Sequence, residues 1–148
     1  MKVAQICILL TVLAVSNQFM LKSKMLGSVP TDITVCPESA GQNIQNFQAT
    51  FDAKPKKASN LVIAMDGTAV ADLVMKQVKL VCYSADGTQL YSNNIPYANT
   101  VAAGANVHWD YTYYLPGIIP DGTYTLEANF YQDDATVVGC AQFHMSFP

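Results

Sequence analysis

From Asn106 to Pro148 the chain alternates apolar and polar positions in three consecutive runs. NVHWDYTYYLP places Val107, Trp109, Tyr111, Tyr113 and Leu115 on one face. GTYTLEANFYQ does the same with Tyr124, Leu126, Ala128 and Phe130, and TVVGCAQFHMSF with Ala141, Phe143, Met145 and Phe147. Side chains alternate across a strand, so each run predicts a strand with one apolar face to bury. Turn residues separate the runs: Pro116-Gly117 with Pro120-Asp121-Gly122, then Asp133-Asp134.

Upstream, Ile44 to Phe51 predicts a first strand with Phe47, Ala49 and Phe51 in phase, and AKPKKASN reads as a solvated loop. LVIAMDGTAV predicts a second strand and a turn at Asp66-Gly67. DLVMKQVKLVCYSADGTQLYS predicts a hairpin around Asp86-Gly87. Asn93 to Ala105, carrying Pro96 and Gly104, reads as irregular chain on the surface. Neither a helical period nor a fixed repeat appears beyond the N-terminal stretch. About seven strands with closely spaced turn signals predict an all-β, immunoglobulin-like two-sheet antiparallel β-sandwich.

The N-terminus carries a different signal. Lys2 precedes an apolar run from Val3 to Val15, too short to span a bilayer and suited to a secretory leader. Ala14-Val15-Ser16 offers small residues for cleavage, so residues 1–16 are read as a signal peptide and 17–34 as an N-terminal arm. The domain is expected over residues 35–148. A retained membrane anchor is the alternative, but it lacks a stop-transfer pattern. The expected destination is extracellular, or lumenal through the secretory route.

Composition narrows the function. The chain is 51% hydrophobic and 13% charged with net charge −3, and all eight basic residues are lysines. Nucleic-acid binding needs a basic footprint that is missing here. Gly-x-Ser-x-Gly, a Walker loop, paired metal-ligand histidines and a glycosylation acceptor are also missing. His108 and His144 fall out of phase with the apolar faces and read as surface residues. Asp133-Asp134 reads as a turn, and Asp32 with Glu38 is too isolated for paired-carboxylate chemistry. The chain is therefore expected not to be an enzyme, and to need no cofactor or metal.

Cys7 leaves with the leader, so Cys36, Cys82 and Cys140 remain. An oxidising compartment favours one disulfide and leaves one thiol over. A bridge from Cys36, placed before the first strand, to Cys140 in the last would tie both ends of the domain together. Cys82 is in phase with Val78 and Leu80 and reads as a small buried hydrophobe.

A cysteine near the mature start, a strand ending in LP, and IPDGTYTLEANFYQDDATVVGC followed by a short terminal strand resemble the ML lipid-recognition domains. The likeness extends to the fungal phosphatidylglycerol/phosphatidylinositol transfer proteins and the Niemann–Pick type C sterol carrier. It covers Val35 to Pro148, and its most specific part is Pro120, Gly122, Tyr124 and Cys140. The resemblance implies two sheets that splay apart to hold a lipid in an internal apolar cavity. Family members usually carry further disulfides, which this chain lacks.

A soluble carrier must exchange dry protein surface for the bilayer, at roughly 0.8 kcal/mol per buried methylene. Strand phase aims Phe51, Ile63, Leu80, Trp109, Tyr111, Tyr113, Tyr124, Leu126, Phe130, Phe143 and Met145 at the space between the sheets, as the expected lipid-binding residues. The entrance is expected near the Asn93–Ala105 segment and the Pro116–Pro120 turn. The leading expectation is thus a monomeric, non-enzymatic carrier of a sterol or phospholipid that touches membranes transiently. The alternative is an adhesion or carbohydrate- or protein-binding sandwich whose aromatic residues fill a solid core.

Overall fold

The computed structural model describes residues 29–31, 33–36 and 42–148. The expected signal peptide and most of the expected arm lie outside these residues. Nine strands follow in order: β1 (Val29–Thr31), β2 (Ile33–Val35), β3 (Ile44–Phe51), β4 (Ser59–Ala69), β5 (Leu73–Tyr83), β6 (Gln89–Val101), β7 (Asn106–Leu115), β8 (Gly122–Tyr131) and β9 (Val137–Phe147). Every pairing is antiparallel. One sheet has the order β1-β3-β4-β7 and the other β2-β9-β8-β5-β6. The predicted two-sheet sandwich is therefore the fold, and no helix occurs among the described residues.

Alternation drives the layering. In β4 the inward positions Leu61, Ile63, Met65 and Ala69 are buried while their neighbours are partly exposed. β8 repeats this with Tyr124, Leu126, Ala128 and Phe130, as the sequence pattern requires. Rings from opposite sheets meet in the middle: Phe47 stacks on Phe130 and Phe51 meets Phe143 edge-on, each with centroids 5.8 Å apart.

Three expectations are corrected. Asp66-Gly67 is not a turn but lies inside β4, paired with His108 and Val107 of β7. Gly67 is needed there because β3 bulges opposite it, with Asn46 at φ 54°. A Cβ on Gly67 would come within 2.7 Å of Ile44, so a glycine that resembles a turn signal is instead a close-approach position. The Asn93–Ala105 segment is not irregular, since β6 continues to Val101. Pro96 is tolerated because β6 is an edge strand and the register shifts beside it, where Gln77 pairs with Pro96 but Met75 with Asn99. Finally, Cys36 does not precede the first strand. β1 and β2 come before it, β1 in one sheet and β2 in the other.

Cys36 and Cys140 form the expected disulfide, with Cα atoms 5.5 Å apart across a sequence separation of 104. Cys82 is free and buried.

Candidate functional site

The two long sides of the sandwich differ. On one, β1 and β2 carry the backbone from sheet to sheet, and the disulfide fastens Cys36 to β9. On the other, β6 and β7 are the free edges of different sheets and form no ladder with each other. Their inward side chains face each other across this seam and stay half-exposed because no further strand covers them. From β6 these are Asn93, Ile95, Tyr97 and Asn99, and from β7 Tyr111 and Tyr113.

Side chains stitch the seam. The Tyr97 hydroxyl donates to the backbone carbonyl of His108 and accepts from the Asn99 amide at 2.8 Å. The Asn93 amide reaches the Tyr111 hydroxyl at 3.4 Å. The rings of Tyr91 and Tyr113 lie 5.7 Å apart. Behind this polar layer, Phe130 meets Tyr97 and Trp109 edge-on, and Trp109 stacks on Tyr111. The seam thus grades from neutral polar groups outside to aromatic carbon inside.

Burial pushes the Tyr113 hydroxyl up to about 12, helped by Cys82, Tyr91 and Tyr111. It raises Tyr97 as well, with Asp110 and Asp66 adding to the effect. Desolvation likewise raises the Cys82 thiol, which suits an inert core residue rather than a nucleophile.

All eleven residues expected to line the space between the sheets belong to one hydrophobic cluster or pack against it. Nine are at most 8% exposed, while Tyr111 and Tyr113 stand half-buried at the seam. The residues that sequence reasoning missed are the β6 partners Tyr91, Asn93, Ile95, Tyr97 and Asn99. Their period-two spacing was the available signal, but polar members and Pro96 mask it.

One end of the seam is capped by the β6–β7 turn, where Gly104 donates to the Ala69 carbonyl at 2.7 Å. The other end opens beside the loop from Pro116 to Asp121. That loop is tied down by the Tyr124 hydroxyl donating to the Pro120 carbonyl at 2.9 Å and by the Lys57–Asp121 ion pair. It nevertheless presents Ile118 91% exposed, with Leu90, Tyr91 and Tyr114 also exposed.

Other polar clusters are structural. Asp133 accepts from the Ala135 and Thr136 amides, which lowers its carboxyl and makes it the turn residue expected. His108 lies outside the core between Asp66 and Asp110, and His144 meets the Thr125 hydroxyl on the outer face. Cys36, Cys140 and Glu127 converge, but the disulfide consumes both thiols as metal ligands.

A family model described as the ML domain matches residues 22–147. The chain belongs to the ML domain family. This is a lipid-recognition family whose members are typically non-enzymatic lipid-binding proteins. Among solved structures, the C-terminal domain of wzt is similar in fold, with a TM-score of 0.55 at 13% identity over 81% of this chain and 80% of that one. A Niemann-Pick type C2 protein from the Japanese carpenter ant matches with a TM-score of 0.45 at 12% identity, over 82% of this chain and 92% of that one. No curated protein sequence matches. The disulfide and the ML domain are both consistent with the secretory route.

Proposed function

We propose that this ML domain is a secreted or lumenal lipid carrier without enzymatic activity, a monomer that holds one sterol or phospholipid between its sheets. Residues 1–16 serve as the signal peptide, and the stretch between it and β1 serves as an arm. The observation that carries this reading is the seam between β6 and β7, where the hydrophobic interior reaches solvent behind a thin layer of side-chain contacts. Parting β6 from β7 breaks side-chain bonds but no backbone ladder, so the opening costs far less than separating paired strands. Apolar lipid carbon then lies against Phe130, Trp109, Tyr111 and Tyr113, with Ile63, Leu80 and Leu126 deeper in.

Transient membrane contact is made at the open end of the seam through Ile118, Tyr114 and Leu90, which stand exposed there. Moving such apolar side chains out of water into the interface is favourable and places the seam at headgroup level.

The test is extraction. The purified domain is mixed with sedimentable vesicles carrying a fluorescent sterol or phospholipid, and the supernatant is assayed for protein-bound lipid. A carrier takes up about one lipid per chain for at least one probe. Supernatants free of every probe, from protein that is folded, would instead favour a solid-core binding module.

A further inference from the structure

Resting on the carrier reading, the structure assigns the seam a preference for lipids with an uncharged, hydroxyl-bearing head over lipids with an anionic phosphate head. Across the 13 residues of β6 and the 10 of β7 there is no lysine or arginine. The only side chains there able to carry charge at neutral pH are Asp110 and His108, and both lie on the outward face of β7.

The inward face offers Asn93, Asn99, Tyr97, Tyr111, Tyr113 and the flanking Tyr91. These are amides and phenols, each a neutral group able to donate and accept. A lipid hydroxyl needs one acceptor and one or two donors, which an amide beside a phenol supplies, as the Asn93–Tyr111 and Asn99–Tyr97 pairs do for each other.

A phosphate at the same place loses hydration and gains no cation. It also feels the field of the Asp66 and Asp110 carboxylates, which flank His108 on the outer face at 2.8 and 3.8 Å and already help to raise the Tyr97 hydroxyl. A desolvated charge without a partner is costly. The lysines among the described residues lie off these two strands, and the one beside the open end already has a carboxylate partner. Lys54, Lys56 and Lys57 are in the β3–β4 loop, where Lys57 is paired with Asp121, and Lys76 and Lys79 are on the outward face of β5.

The experiment compares uptake from vesicles of four probes: dehydroergosterol and a chain-labelled diacylglycerol as neutral heads, and chain-labelled phosphatidylglycerol and phosphatidylinositol as anionic ones. The better neutral probe is expected to exceed the better anionic probe at least fivefold, and the two neutral arms tell a sterol from a glyceride. A ratio below fivefold with lipid bound overturns the head-group preference and leaves the carrier reading standing. No uptake of any probe overturns the carrier reading itself.

Asn93→Leu and Asn99→Leu, both at half-exposed edge positions, are then assayed alongside melting temperature. Each is expected to cut neutral-lipid uptake several-fold at a melting temperature within a few degrees of the parent. Unchanged uptake in both would show that the head is not read at the seam.

Discussion

Tyr97, on the edge of the five-stranded sheet, donates its hydroxyl to the backbone carbonyl of His108, on the edge of the four-stranded sheet. It thereby holds two strands together that no ladder joins. Tyr97→Phe keeps the ring contact with Phe130 and removes this bond together with the one that the hydroxyl accepts from Asn99. The expected loss is about 0.5–1.5 kcal/mol in chemical denaturation. Faster lipid exchange and faster amide hydrogen exchange confined to β6 and β7 should accompany it. Uniform acceleration across both sheets would mean that the bond supports the whole fold rather than the seam.

The opposite side should respond differently. A Cβ on Gly139 would stand 2.9 Å from the Cβ and Cδ1 of fully buried Ile44, where β9 approaches the start of β3. Gly139→Ala should cost about 1–3 kcal/mol by overpacking. Adding Ile44→Val should recover part of it, and a double-mutant cycle measures the coupling. Lipid exchange rates should be untouched by either change.

Removing the disulfide by Cys36→Ser with Cys140→Ser releases a loop that spans nearly the whole described domain. Loop-closure entropy places the loss at about 4–5 kcal/mol, read as a fall in the denaturation midpoint. Cys82, buried and with its thiol raised by desolvation, should resist alkylation at neutral pH in the native state and react on unfolding.

These contrasts show what the sequence could and could not convey. The faces of β7, β8 and β9 were legible because large apolar residues alternate there with polar ones, and Asp86-Gly87 was legible as a hairpin turn because Gly87 sits at φ 83°. β6 was not. Its inward residues include two asparagines, so the apolar half of the alternation is missing at the very strand that forms the seam. Asp66-Gly67 misled for the converse reason, since a glycine demanded by packing against Ile44 carries the same letters as a turn. The faces of the interior were therefore readable from the chain, whereas the Asn93–Ala105 segment, expected as part of an entrance, was read as irregular because its residues break the core pattern.

Alkaline pH probes the seam directly. The Tyr113 hydroxyl, ordinarily losing its proton near pH 10, is pushed up to about 12 by burial. Between those values the folded chain keeps a proton that the unfolded chain has lost, so stability present below pH 10 declines as pH rises toward 12. Tyr113→Phe should flatten that part of the stability–pH curve. Ultraviolet titration of phenolate should show one tyrosine fewer ionising late. An unchanged alkaline slope in the variant would place Tyr113 in open solvent.

Native mass spectrometry of the domain purified from a secretory host reads directly whether the protein holds a lipid. A population carrying a single lipid mass above the polypeptide mass is expected, released by organic extraction and restored by incubation with vesicles containing that lipid. A folded, disulfide-bonded protein that shows only the polypeptide mass, before and after incubation with sterol, glyceride and phospholipid vesicles, would contradict the carrier reading.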